Sequence, residues 1–340
     1  MKRKSLLLVF AVFLFISLAG SMLFAARATE KDGLTIAYVR PGNYEYYKYA
    51  ADGVILAGEL KGIKILDYQS DNQAEREMAN IEDAITLGVD GIILFSVSAS
   101  AIDAAVVKAN DAGIPMFMVY GFSEQNKDRF VGSIQSDGIV SGNLMGKWIA
   151  EEISEGEIAC IAGMLGRGDA ESYRDGFFEE ALKNKNLVNV GTYPGDWDTQ
   201  KAFNVMQDII TAYPNLQAVF VQNEGMSMGA IRALEEAGKL DQVTLVSQNG
   251  SPDGEVIIKE GKLTATVGWS CSQESILALH MLIDHLDGKD VPKLTLTPMK
   301  VITKSNLDKI VPWIPSEDLV NLSWKIDYWK DLSHEFAKGQ

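Results

Sequence analysis

Residues 196–239 read DWDTQKAFNVMQDIITAYPNLQAVFVQNEGMSMGAIRALEEAGK. The first part of this block has apolar residues at roughly helical spacing, namely Phe203, Val205, Met206, Ile209 and Ile210. Pro214 ends that helix, and the continuous apolar run at 218–223 is typical of a strand that is buried on both faces. A second helical pattern follows directly. The order helix, buried strand, helix predicts one unit of a parallel sheet that is covered by helices.

The same alternation extends along the chain on both sides of this block. Amphipathic stretches of helical spacing separate a first set of short apolar runs, at 34–40, 63–69, 91–96, 115–121 and 129–133. A second set of runs lies at 157–163, 188–194, 218–223, 243–249 and 263–269. Continuous apolar strands separated by helices predict parallel sheets. Two successive sets predict an α/β protein with two doubly wound, Rossmann-like lobes.

Polar residues end the strand at 218–223 and begin the next helix. In open α/β sheets, ligands bind at the carboxyl ends of the strands, next to helix N-termini. We therefore expect Asn223 to contact a ligand, and the alternative is that it only caps the helix that follows. For Glu224, a ligand contact and a solvated position in the first helical turn remain equally open.

The first 28 residues have the parts of a secretory signal peptide. Basic residues at 2–4 precede an apolar run at 6–24, and we expect cleavage after Ala25 or Ala28. The alternative is an uncleaved membrane anchor, because the run nears the length of a spanning helix. Ser21 stands where the lipidated cysteine of a lipoprotein signal would be, which argues against a lipid anchor.

The charge balance limits the possible partners. The formal net charge is −15, from 31 basic and 46 acidic residues, and cleavage after Ala28 would leave 27 basic residues and a balance of −19. An acidic surface argues against nucleic acid or an anionic membrane as a partner, since both require basic surface. The sequence therefore predicts a soluble, acidic protein that is exported to the periplasm or another extracytoplasmic space.

Motifs for catalysis, metals and cofactors are weak or absent in the sequence. His280 and His285 are five residues apart and so lie on different faces of a helix, and the third histidine is His334. The glycine-rich stretch 163–169 has neither the dinucleotide pattern nor the P-loop pattern. We predict no catalytic residue, no metal and no cofactor, although a hydrolase that uses a Ser–His pair is not formally excluded. The two cysteines, Cys160 and Cys271, are expected to be separate buried thiols.

Taken together, these stretches resemble a known family. The chain is similar to type I periplasmic solute-binding proteins of the ribose-binding kind, the capture components of ABC importers. The resemblance runs from about Leu34 to about Ser305 and is carried by GIPMFMVYG, by the block 196–239, by VSQNGSPDGEVIIKEGKLTATV and, less strongly, by DYQSDNQAEREMANIEDAITLGVDGIIL. Sugar-responsive repressors share this core but carry a basic helix-turn-helix where this chain has the signal peptide.

The resemblance implies a domain organisation and a mode of action. Three crossings, near Ser136, Trp269 and Thr297, would join the lobes. The N-terminal lobe would comprise 34–135 plus 270–297, and the C-terminal lobe 136–269 plus 298–322. Separately from the resemblance, the amphipathic pattern of the tail 323–340 predicts a helix. Ligand would bind between the lobes, hinge closure would bury it, and a membrane permease would recognise the closed monomer.

The resemblance also implies a set of ligand-binding residues. Tyr46, Tyr47 and Trp197 fall on aromatic positions of the family, and Asn223 falls on an asparagine that binds ligand hydroxyls. The other positions differ from the family in residue type. In this chain, Phe95 or Ser96 replaces an asparagine of the family, and Tyr120 with Gly121 replaces an Asp-Arg pair. Glu171 replaces an arginine (Arg174 is one turn away), Asn249 replaces an aspartate, and Trp269 replaces a glutamine.

These differences imply a pocket with more aromatic surface and fewer charges than a pentose site, and three kinds of ligand remain open. A sugar or cyclic polyol would use Asn223, Asn249, Glu171 and Arg40 as partners. A nucleoside would stack between Trp197 and Tyr46 or Tyr47. An organic cation would sit among Trp197, Trp269 and Tyr120, with Glu171 as counter-ion. The protein is alternatively a ligand-presenting sensor for a chemoreceptor or a sensor kinase.

Overall fold

The computed structural model describes residues 33–166 and 168–334. The predicted signal peptide with its cleavage sites, and the last six residues of the predicted tail helix, lie outside these ranges. None of the helices in the described ranges is long and apolar enough to cross a membrane.

Two sheets form the centres of two α/β lobes, which confirms the predicted fold class. The first sheet has the strand order β13-β11-β5-β4-β3-β1-β2 and the second β12-β10-β9-β8-β6-β7. Their strands are β1 Thr35–Arg40, β2 Lys64–Gln69, β3 Gly91–Leu94, β4 Met116–Val119, β5 Gly132–Gln135, β6 Gly156–Ala162, β7 Leu187–Pro194, β8 Leu216–Val221, β9 Thr244–Asn249, β10 Ala265–Gly268, β11 Leu294–Leu296, β12 Lys300–Thr303 and β13 Ser333–His334. Neighbouring strands are parallel except at two edges, where β13 and β12 run antiparallel to β11 and β10.

Helices connect the parallel strands and cover the sheets. They are α1 Glu45–Lys61, α2 Ala74–Leu87, α3 Ala99–Asp111, α4 Gly138–Glu152, α5 Asp169–Ala181, α6 Thr199–Ala212, α7 Glu224–Glu236, α8 Pro252–Lys259, α9 Cys271–Leu286 and α10 Glu317–Ser323. Short 3₁₀ turns occupy Lys127–Arg129 and Lys304–Lys309. The ends of α6 follow from its sequence, because the Asp198 side chain accepts from the Lys201 N–H and Pro214 stands just beyond the last turn.

Three passages of the chain between the sheets were expected. The chain leaves the first sheet after β5, next to Ser136, and returns after β10, next to Trp269. It leaves again between β11 and β12, next to Thr297. These are the positions that the resemblance implied for the hinge.

A fourth passage was not expected. Residues 298–322 were placed in the second lobe, and β12 does pair there, but Trp313, Leu319 and Val320 belong to the hydrophobic core of the first lobe. Helix α10 packs against α1 and α9. The boundary is therefore a correction: after Ile310 the chain returns to the first lobe, because its apolar side chains are buried there.

The expected helix at 323–340 is also corrected for its described part. Beyond α10, the chain forms turns and the short edge strand β13. The ring of Trp324 stacks on His280 with a centroid distance of 4.8 Å, and the Tyr328 hydroxyl donates to Asp284 Oδ2 at 2.8 Å. These side-chain contacts hold the segment against α9, where it forms turns and not a helix.

The two cysteines lie in different hydrophobic cores. Cys160 is fully buried in the second lobe, and Cys271 is buried in the first. Both are free thiols. The prediction of two separate buried thiols is confirmed.

Candidate functional site

An aromatic cluster lines the first lobe where its strands end. Tyr46 and Tyr47 are in the first turn of α1, Phe95 follows β3 directly, and Tyr120 follows β4 directly. The rings of Phe95 and Tyr120 are stacked, with centroids 5.4 Å apart and planes at 9°. Tyr46 meets both of them edge-on, at 6.1 and 6.2 Å, and Tyr47 meets Phe95 edge-on at 4.9 Å. The structure thus brings together four residues that the sequence assigned to the ligand site.

A buried carboxylate lies against this cluster, and the sequence analysis missed it. Glu274 Oε2 accepts from the Tyr46 hydroxyl at 3.1 Å, and Oε1 accepts from Thr297 Oγ1 at 2.6 Å. The Tyr46 oxygen in turn accepts from Trp269 Nε1 at 3.2 Å. One signal was present in the sequence, because Glu274 is the only Asp, Glu, Lys or Arg between positions 263 and 283.

Burial sets the protonation of these groups. Burial raises the pKa of Glu274 to about 7, although hydrogen bonds from Thr297 and Tyr46 act in the opposite direction. Burial likewise raises the pKa of Tyr46, Tyr120 and Tyr173, which therefore remain neutral phenols at physiological pH. These three phenols and the carboxyl group of Glu274 are polar, and none of them carries a positive charge.

On the second lobe, the indole of Trp197 lies directly against Gly163, the residue after β6. A Cβ added to Gly163 would stand 1.9 Å from the Trp197 ring, so only glycine leaves room for it. Asn249 ends β9, and its carbonyl accepts from the Trp269 N–H and from Trp313 Nε1, both at 3.2 Å. Trp197 and Asn249 thus lie at strand ends of the second lobe, as the sequence predicted.

Three predicted site residues have a backbone conformation that is rare for residues other than glycine. The φ angles are +56° for Tyr120, +64° for Trp197 and +111° for Asn249. Such conformations cost about 1–3 kcal/mol and cluster at ligand-binding sites. Each follows or ends a strand, so the strain coincides with the positions where a doubly wound fold binds ligands.

Asn223 caps α7 in the structure. Its Oδ1 accepts from the Met226 N–H at 2.7 Å, which is the alternative that the sequence left open. The cap uses the oxygen of the amide and leaves its N–H₂ group outside this bond. Capping and ligand contact are therefore compatible for Asn223.

Glu224 is neither solvated nor at the surface of the cleft. It is 1% exposed, and its Oε1 accepts from the Gly250 N–H and from Thr266 Oγ1, both at 2.7 Å. Burial raises its pKa to about 7, against the effect of these hydrogen bonds. Its role is to join neighbouring strands inside the second lobe, which excludes the solvated position, one of the two alternatives that the sequence left open.

Charged residues expected at the ligand are engaged within their own lobes. Glu171 accepts from the N–H groups of Gly166, at 2.5 Å, and Gly168, at 3.0 Å, and so caps α5 and closes the glycine-rich loop. Arg40 forms a two-point ion pair with Asp67, at 2.7 and 2.8 Å. Both side chains therefore already have hydrogen-bond partners within their own lobes.

Three further candidate positions also have contacts within the protein. Arg174 pairs with the neighbouring Asp175 at 2.7 Å, and Ser96 Oγ donates to Glu77 Oε1 at 2.8 Å. Trp269 is only 2% exposed, and its ring packs in the core of the second lobe. Trp269 therefore supports Tyr46 and offers no open face for a cage around a cation.

Comparison with known proteins agrees with this architecture. The family model of the periplasmic binding protein domain matches residues 36–290. The ribose import binding protein of Salmonella typhimurium LT2 is 31% identical over 281 residues, which cover 82% of this chain and 93% of the relative. The xylitol-binding protein of Mycolicibacterium smegmatis is 26% identical over 298 residues, covering 85% of this chain and 84% of that protein. The structure of an ABC transporter solute-binding protein from Bacillus halodurans C-125 with bound myo-inositol is 25% identical, with a TM-score of 0.75 over 83% of this chain and 98% of that one.

Proposed function

We propose that this chain, which belongs to the periplasmic binding protein family, captures a neutral sugar or cyclic polyol between its two lobes for an ABC importer. The observation that carries the proposal is the aromatic cluster of Tyr46, Tyr47, Phe95 and Tyr120 at the strand ends of one lobe, with Trp197 at the strand ends of the other. Aromatic rings cover the C–H faces of sugars and ring polyols.

The polar groups of the site support a neutral ligand. The side-chain amides of Asn223 and Asn249 offer both donors and acceptors, which suits hydroxyl groups. The two charged candidates already have partners: Arg40 is paired with Asp67, and Glu171 accepts from the backbone N–H of Gly166. A ligand with a full charge would then lack these two residues as counter-ions, and a buried unpaired charge is costly.

Hinge closure is the proposed mechanism of capture. The strand ends of the two lobes carry the contacts, and the crossings next to Ser136, Trp269 and Thr297 are the segments that would bend. The closed form would be presented to the permease. No step requires a catalytic residue, so a bound sugar should be recovered chemically unchanged.

Location and partners form a second part of the proposal. The family implies a periplasmic location, and we propose export by the signal peptide 1–28, cleaved at Ala25 or Ala28, without lipidation. We propose that the protein is a monomer and that its partner is an ABC permease. The alternative partner is a chemoreceptor or a sensor kinase. Pull-down with candidate membrane proteins tests this, since binding to a receptor ectodomain and never to a permease would contradict transport.

A thermal-shift screen of ligand-stripped protein tests the function. The panel comprises D-ribose, D-allose, L-arabinose, xylitol and myo-inositol, with adenosine and choline as the competing ligand classes. A compound at a hundred times its dissociation constant adds about 2.7 kcal/mol of stability, or a few degrees in a chain of this size. We expect a shift with at least one sugar or polyol. A shift with adenosine or choline alone would overturn the proposal.

A further inference from the structure

Glu274 lies beside three of the four passages of the chain between the lobes. It lies in the first turn of α9, directly after the crossing next to Trp269. Its Oε1 accepts from Thr297 Oγ1 at the crossing between β11 and β12. The backbone N–H of Ser136, at the crossing after β5, lies near enough to lower the pKa of Glu274. Through Oε2 it also holds the Tyr46 hydroxyl of the aromatic cluster.

The surroundings of this carboxylate contain hydrogen-bond donors but no compensating cation. Glu274 is completely buried. The titratable groups that face it are Tyr46 of α1, Tyr120 after β4, Tyr173 of α5 and Cys271 of its own helix. Burial raises the pKa of all four, so they are neutral at physiological pH. A negative charge on Glu274 is therefore stabilised by hydrogen-bond dipoles, in a buried site.

We propose that Glu274 is a positioning residue for ligand capture, and that its protonation favours the closed arrangement of the lobes while its ionisation favours the open one. The inference rests on the proposed capture by hinge closure. Bending the crossings moves Ser136 and Thr297 relative to α9 and lets water reach the carboxylate. Hydration stabilises the ionised form far more than the neutral form, so ionisation shifts the hinge towards opening.

Linkage gives the sign and the size of the effect. Burial raises the pKa of Glu274 to about 7, so the group titrates between pH 6 and 8. Closure then takes up a proton, and ligand affinity should fall as the pH rises through this range. The affinity should fall by at most about tenfold for each unit by which the pKa of Glu274 differs between the open and closed forms.

The decisive experiment measures the hinge without ligand. Spin labels are placed on cysteines introduced at the exposed positions Tyr44, in the first lobe, and Val256, in the second; both native cysteines are buried. Distance distributions between the labels are recorded by double electron–electron resonance in samples frozen from pH 6 and pH 8. We expect the longer distances to gain population at pH 8 in the otherwise wild-type protein and to be independent of pH in E274Q.

Glu224 provides a matched control. It is a second buried glutamate at the start of a helix, but its partners Gly250 and Thr266 belong to one lobe. E224Q should show the same pH response as the wild type. The proposal is overturned if the wild-type distances do not change with pH, if E274Q responds like the wild type, or if E224Q abolishes the response.

A second variant keeps the proposal testable if E274Q does not fold. Thr297→Val removes the hydroxyl that donates to Glu274 and leaves the carboxylate in place. Because that hydrogen bond favours the ionised form, T297V should move the midpoint of the opening transition to higher pH. An unchanged midpoint would overturn the proposal. All these measurements use ligand-free protein, so their failure is separate from a failure to find a sugar or polyol in the thermal-shift screen.

Discussion

The indole N–H of Trp269 donates a hydrogen bond to the phenol oxygen of Tyr46, with an N–O distance of 3.2 Å. Trp269 packs in the core of the second lobe, whereas Tyr46 starts the first helix of the first lobe. The same hydroxyl donates to Glu274, so it acts both as acceptor and as donor within the protein. Tyr46 therefore has its ring, and not its hydroxyl, to offer to a ligand.

Tyr46→Phe should destabilise the protein. The change leaves the Trp269 N–H and one oxygen of Glu274 without this partner in a buried place, which costs about 1–3 kcal/mol. Urea unfolding followed by circular dichroism measures the loss. Tyr44→Phe removes a phenol hydroxyl from a side chain that is 67% exposed and should have little effect. Equal effects of the two changes would contradict the role of this hydrogen bond.

Gly163→Ala should weaken ligand binding by displacing Trp197. The new methyl group would stand 1.9 Å from the indole, which has to move away from the strand end. Titration calorimetry with the sugar or polyol that gives the largest thermal shift measures the effect. Gly225→Ala is the control for stability, because its Cβ would meet no atom closer than 3.6 Å and helix α7 gains about 0.5–1 kcal/mol. Unchanged affinity in G163A would show that Trp197 does not contact ligand.

Two substitutions of Asn223 separate capping from ligand contact. Asp retains the oxygen that accepts from the Met226 N–H but lacks the amide N–H₂ group, so N223D should keep its stability and lose affinity. Ala lacks both groups, so N223A should lose affinity and also about 1 kcal/mol of stability. Calorimetry and urea unfolding give the two quantities. Wild-type affinity in N223D would mean that Asn223 only caps α7.

Local patterns in the sequence were sufficient to predict the fold. Each of the strands β1–β10 overlaps a short apolar run next to a helical pattern, and helix ends such as that at Pro214 are visible without knowledge of the rest of the chain. The edge strands β11–β13 were not predicted. The return of the chain to the first lobe after Ile310 was missed because it depends on a distant surface. Trp313 and Leu319 pack with residues that lie more than two hundred positions earlier, such as Tyr38 and Ala50.

The candidate site depended on the family resemblance, which assigned Tyr46, Phe95 and Tyr120 to it; the structure brings their rings together. The hydrogen-bond partners of Glu274, Tyr46 and Thr297, come from distant segments, so its burial and hydrogen bonding could not be deduced locally. Glu171 makes only the glutamate half of a capping box, because the N-cap Gly168 has no side chain, so the usual sequence signature was absent there.

Stability should fall as the pH rises from about 4.5 to about 7. Burial raises the pKa of Glu224 and of Glu274 from 4.5 to about 7, so between these values the folded protein holds protons that the unfolded chain has lost. Raising the pH therefore disfavours folding, by up to ~3 kcal/mol for each group. The loss is complete above about pH 7.

Urea unfolding at pH 5 and pH 7.5 checks this for each group separately. The free energy of unfolding of the wild type, relative to E224Q or to E274Q, should be larger at pH 5 than at pH 7.5. Comparing each variant with the wild type removes the effect of groups such as Glu171, whose pKa is lowered and which act in the opposite direction at acid pH. A relative stability that rises with pH would contradict the buried, cation-free setting of these carboxyl groups.

Trp313→Phe should loosen the contact between the lobes. The Trp313 indole donates to the carbonyl of Trp269 at 2.8 Å and to that of Asn249 at 3.2 Å, and so joins the returning C-terminal segment to a crossing and to a strand end of the second lobe. Phenylalanine fills much of the same buried space but lacks the N–H, which leaves the Trp269 carbonyl without this donor. We expect a loss of about 1–3 kcal/mol in urea unfolding and a broader distribution of distances between the lobes. Trp329→Phe is the control, because the indole of Trp329 donates to Asp290 at an exposed site where water can replace it. If both variants keep the wild-type distribution of distances, the fourth passage of the chain plays no part in restraining the hinge.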